Sequence, residues 1–131
     1  MNKKYLAKII AQDESGIQMI SALASEAKVK ISGIKYLPKN NIFLLSMLRF
    51  SKEKVDKNKK IHSILKFEFI NSCRAKNINQ NEQKTELEVL TIDIIKNKGQ
   101  FEIKLVFLND KIIDLKSEII ECKLEDQNEV I

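Results

Sequence analysis

Apolar residues in this chain recur mainly at every second position, the spacing of strands, and in one segment at every third and fourth, the spacing of a helix. "YLAKIIA", Tyr5 to Ala11, is a short apolar run that reads as a first strand. Asp13 then offers an oxygen to the unpaired amides of a helix start, and Glu14 suits the positive end of the helix dipole. Ile17, Ile20, Leu23, Ala24 and Ala27 form one face, with Gln18, Ser25 and Glu26 opposite, so the spacing predicts a helix over about residues 14–27. Its small residues Ala22, Ala24 and Ala27 suit close packing on a sheet.

After the helix, Val29 and Ile31, then Ile34 and Tyr36, alternate on either side of Ser32-Gly33, where a bulge or bend is expected. "PKNN" predicts a turn with Pro38 at its second position. "IFLLSMLRF", Ile42 to Phe50, is apolar on both faces apart from Ser46 and Arg49, and predicts a central strand covered on both sides. "HSILKFEFINSCRA" sets Leu65, Phe67, Phe69, Cys73 and Ala75 on one face against Lys66, Glu68 and Arg74, the pattern of one long half-solvated strand. A polar connector over residues 77–84 leads into "TELEVLTIDII", "FEIKLVFL" and "KIIDLKS", joined by hairpin turns at Asn97-Lys98-Gly99 and Asn109-Asp110. The last strand, "IIECKLE", turns Ile120, Cys122 and Leu124 inward.

These elements predict an α+β fold with about eight mostly antiparallel strands and one N-terminal helix. So many strongly twisted strands curl or split, so a curved sheet or partly closed barrel is expected, with the helix against one face or mouth. Residues 1–131 read as one domain, since no internal repeat or linker divides them.

Charge changes the picture in two ways. Of the 23 cations, 21 are lysine and only Arg49 and Arg74 are arginine, while isoleucine outnumbers valine 20 to 5. Much of the basicity therefore reads as codon drift, and the scarcity of arginine, whose planar fork binds phosphates and bases bidentately, argues against a groove reader. Residues 1–80 carry sixteen cations and six anions, residues 81–131 seven and twelve. Strands interleaved from both parts would neutralise this difference; a surface that kept it would attract an anionic partner or pair head to tail.

Catalytic and metal chemistry find little footing. Cys73 and Cys122 have no CxxC or metal spacing, and two thiols without a disulfide framework suit a reducing cytoplasm. The N-terminal lysines precede an apolar run too short for a secretory segment or a membrane span. A nucleophile, Cys73, Cys122 or a serine, needs a base, and His62 is the only histidine, expected as a solvated residue at a strand end. Cys73 and Arg74 should face apart, as neighbours on a strand do. Gly16, Gly33 and Gly99 are isolated and form no phosphate loop. Asp114, Glu118, Glu121, Glu125 and Asp126 alternate with apolar residues, as water-facing strand acids do. No catalytic residue, cofactor or metal site is assigned.

At "ISALASEA", "YLP", "LRF" and the closing "KLED" the chain resembles a bacterial family known only as domain of unknown function number 2948, over Leu6 to about Asp126. Family members often continue into a tail containing proline and tryptophan; this chain ends "QNEVI" and has neither there. The family has no assigned activity, so the resemblance implies a single domain and supplies no catalytic residues. It does direct attention to Arg49-Phe50 and Leu124-Glu125-Asp126.

The leading expectation is a small non-catalytic cytoplasmic domain that binds itself or another protein through sheet edges or an apolar sheet face. One alternative is weak RNA or DNA binding through "SKEKVDKNKK", using Lys52, Lys54, Lys57, Lys59 and Lys60, with Phe67 and Phe69 as stacking candidates. Another is a small ligand clamped beside Arg49, against which stands an ion pair from Arg49 to an acid such as Glu68 or Asp93.

Overall fold

In the computed structural model the described residues are 6–51 and 59–130. The chain runs β1 (Lys8–Ala11), α1 (Glu14–Ala24), β2 (Lys28–Lys30), a 3-10 turn (Ile31–Gly33), β3 (Ile34–Leu37), β4 (Ile42–Phe50) and β5 (Lys60–Phe67). It continues through β6 (Ile70–Lys76), β7 (Glu86–Asn97), β8 (Gln100–Phe107), β9 (Lys111–Ser117) and β10 (Cys122–Val130). The strands form one open antiparallel sheet in the order β1-β10-β5-β4-β2-β7-β8-β9-β6, with β3 also on β4. The α+β class stands, with a single α-helix among the described residues. The sheet has ten strands rather than about eight, and it does not close.

Both extra strands arise where an expected strand breaks. The run from Lys28 to Leu37 is interrupted by the turn at Ile31–Gly33, so β2 pairs with β7 and touches β4 only at Leu48, while β3 follows β4 from Leu45 to Ile42. Gly33 crosses close over β4: a Cβ there would lie 3.2 Å from both the Cβ and the carbonyl oxygen of Ser46. The expected long strand from His62 to Ala75 breaks at Glu68-Phe69. There Phe69 takes φ 60°, a left-handed conformation costly for a bulky L-residue, and the chain leaves β5, beside β4 and β10, for β6, beside β9.

The helix begins as the sequence dictates, with Asp13 accepting from the Gly16 amide at 2.8 Å. It ends at Ala24, three residues before the expected boundary, because Glu26 adopts φ 71° and its amide turns to the Val89 carbonyl at 2.8 Å. Ile17, Ile20 and Ala24 bury themselves against the sheet. A bulge between Val89 and Thr91 turns Leu90 outward, and the Ile92 amide donates to Ser21 Oγ of the helix at 2.8 Å.

Strict alternation fills the core: Phe43, Leu45 and Met47 of β4 meet Leu65 and Phe67 of β5, Leu87 and Val89 of β7, and Ile103, Leu105 and Phe107 of β8. The Phe43 and Phe67 rings lie 6.3 Å apart. Burying each such side chain contributes roughly 1.5–3 kcal/mol against the entropy of ordering the chain. Ile120, Cys122 and Leu124, expected to face inward in the last strand, are all buried, with β10 itself starting at Cys122.

Candidate functional site

The break before β3 and the break before β6 leave two strand edges facing one another. Among the described residues β3 pairs only with β4 and β6 only with β9, so each presents one edge without a neighbouring strand. A groove of about 530 Å³ lies between them. Its wall is mainly apolar: Ile34 and Tyr36 from β3, Cys73 and Ala75 from β6, Ile78 from the following loop, with Phe43 and Ile113 behind.

Both ends of the groove are tied. At one, the Ile70 amide donates to the Asn41 carbonyl at 2.8 Å, and Tyr36 Oη donates to the Ile70 carbonyl at 3.3 Å. At the other, the 77–85 loop is held by bonds from the Ile31 amide to Thr85 O and from the Ser32 amide to Gln83 O, each 3.0 Å. Exposed Leu37 and Pro38 line the rim, and Phe69, 52% exposed in its left-handed conformation, directly precedes Ile70 at the first end. Burial, with the charge of Asp114 second, pushes the Cys73 thiol above its ordinary value of 9.0, so the groove holds a protonated sulfur at neutral pH that reacts slowly through its small thiolate fraction.

Arg49 lies elsewhere and is wholly buried. Its Nε and Nη2 meet Asp126 Oδ1 and Oδ2 at 3.1 and 2.9 Å, a bidentate pair with both side chains at 0% exposure. Ser63 Oγ donates to the same carboxylate at 2.6 Å and the Ala7 amide at 2.7 Å, while the Asp126 amide returns a bond to Ala7 O at 2.9 Å. The partner is thus Asp126, not Glu68 or Asp93, and Asp126 is not the water-facing acid expected of it. The register explains this: Arg49 points inward beside Met47, and Asp126 stands opposite Ser63 on the inner side of β10. A guanidinium so engaged is a lock among β4, β5, β10 and the segment entering β1, and the ligand-clamp expectation for Arg49 is set aside.

A family model described as "Protein of unknown function (DUF2948)" matches residues 7–131. The chain belongs to this family. No curated protein and no solved structure matches it. The two short motifs to which the resemblance drew attention meet in this DUF2948 chain as the Arg49–Asp126 pair, a structural role.

The other candidates scatter over the DUF2948 fold. Lys52, Lys54 and Lys57 lie outside the described residues; Lys59 and Lys60 are exposed, and Lys60 Nζ stands 5.8 Å from the Phe50 ring centre. Of the two stacking candidates Phe67 is core and only Phe69 is exposed. His62 is half-buried rather than solvated, and its Nε2 lies 2.8 Å from Ser46 Oγ across β4 and β5. Lys28 and Lys30 beside it stand opposite Glu88 and Glu86, which leaves that depression without an excess of cationic charge. Cys122 is buried and its thiol is pushed far up by desolvation. Among the described residues no three His, Cys, Asp or Glu side chains converge as a metal site, and no helix is long and apolar enough to cross a membrane.

The groove itself was not visible in the sequence. Ile34, Tyr36 and Cys73 read as inward residues of ordinary strands, and only the broken alternation at Ser32-Gly33 signals that a strand loses a neighbour.

Proposed function

We propose that this domain acts by association, taking up an extended apolar segment of a protein partner in the groove between β3 and β6. The observation that carries the reading is the pair of strand edges that, among the described residues, have no neighbouring strand and flank an apolar cavity of about 530 Å³. Open edges supply backbone donors and acceptors to an incoming strand, and the pocket beneath receives its alternate side chains. Phe69 supports it: an exposed aromatic held in a strained conformation at the end of a groove is a contact residue that stability alone would not select. The domain is non-catalytic in this reading, and the free thiols Cys73 and Cys122 suit a cytoplasmic setting.

Cys73 makes the test direct, because it lines the groove while Cys122 is buried and serves as an internal control. A capped hexapeptide alternating glutamine and valine is expected to slow Cys73 alkylation by iodoacetamide, and Ala75→Trp, which fills the groove, to abolish the effect. An alkylation rate unchanged at millimolar peptide would rule the reading out.

A further inference from the structure

The two edges of the groove share a charge. β3 carries Lys35 and β6 carries Arg74 and Lys76, all exposed, and neither strand contains an acid. Lys39, in the turn after β3, adds to the same rim. The acids nearest in register belong to β9 and its turn. Asp114 faces Arg74 and is half-buried, and Asp110 stands a loose 3.8 Å from Lys76 with both side chains largely in water. Exposed pairs of that kind hold little energy and exchange readily for a better-placed carboxylate.

Alternation then dictates what a bound strand must look like. Ile34, Tyr36, Cys73 and Ala75 supply the apolar lining, exposed Lys35 borders the groove beside them, and Arg74 alternates to the other face of β6. A strand lying between them sends every second side chain to the floor and the intervening ones outward among the cations.

We infer that the partner segment is an extended peptide of alternating apolar and acidic residues, its apolar side chains on the groove floor and its carboxylates against Lys35, Arg74 and Lys76. This rests on the association proposed above and adds the chemistry of the partner. The apolar contacts provide affinity, and the cationic rim selects by repelling lysine-bearing strands and drawing acidic ones.

The experiment compares three capped hexapeptides in which valine alternates with glutamate, glutamine or lysine, read by protection of Cys73 from iodoacetamide at low and moderate salt. Protection by the glutamate peptide is expected at a concentration about tenfold below that of the glutamine peptide, weakening as salt is raised, with the lysine peptide weakest. The double change Lys35→Glu with Arg74→Glu, at exposed positions that leave the core intact, is expected to reverse the order of the glutamate and lysine peptides. Equal protection by all three would overturn the acidic selectivity and leave the groove reading standing. No protection by any would overturn both. Cys73 alkylation that slows with protein concentration alone would also overturn the inference, since a second copy of the chain would then occupy the groove.

Discussion

Removing the carboxylate of Asp126 is expected to destabilise the domain by about 3–5 kcal/mol, because the buried Arg49 guanidinium would lose a bidentate, fully desolvated carboxylate. Asp126→Asn measured by urea denaturation checks this, and the double change Arg49→Met with Asp126→Leu should recover most of the loss, since an apolar pair needs no desolvation. Phe69 is expected to behave oppositely. Asparagine tolerates the left-handed region, so Phe69→Asn should raise stability by about 0.5–1 kcal/mol while weakening peptide uptake, the signature of a residue kept for contact. At Cys73 burial favours the neutral thiol, so the midpoint of its alkylation rate against pH should lie above 9.0, where an unperturbed thiol is half ionised; a midpoint at or below 9.0 would show the sulfur to be solvated.

At the scale of elements, close approach and charge decide what the strands tolerate. A Cβ on Gly16 would sit 2.7 Å from Ala11 Cβ, so Gly16→Ala should push α1 off β1 and cost about 1–3 kcal/mol. On the outer side of β8 and β9, burial first and then Glu102 raise the pKa of Asp114, one of whose oxygens is buried with no hydrogen-bond partner. Its folded state favours the protonated form. That stabilisation is full below the ordinary value of 3.8 and is lost as pH rises through the raised folded value. Asp114→Asn should therefore gain a few tenths of a kcal/mol, roughly, at neutral pH, an advantage that disappears in acid; equal stability at both pH values would contradict it. The elements legible in the sequence were those whose local chemistry agrees with their surroundings. Asp13 and the Ile17, Ile20, Ala24 spacing announced the helix, and Lys98-Gly99, at φ 53° and 78°, announced the β7–β8 hairpin. The break at Phe69 was not legible, because alternation continued through it and phenylalanine carries no propensity for the left-handed region. The Arg49–Asp126 pair was half legible: an arginine in an apolar strand demands an acid, but which one depends on a register that no local pattern records.

Across the described part of the molecule, the charge difference between the two parts of the chain is interleaved where strands from both parts pair. Lys28 and Lys30 of β2 face Glu88 and Glu86 of β7, and β10 carries Glu125 opposite Lys8. Among the described residues, Lys35, Arg74 and Lys76 keep one sign of charge together on the rim of the groove. The same interleaving places β10 between β1 and β5, so that Ala7 bonds to Asp126 across 119 residues of chain. A ribosome making this protein releases β1 and β5 long before the strand that separates them exists. Until Cys122, Leu124 and Asp126 emerge, the nascent chain holds Arg49 without Asp126 and two strand edges without their shared neighbour, so the amino-terminal part cannot reach its final packing before β10 has been made.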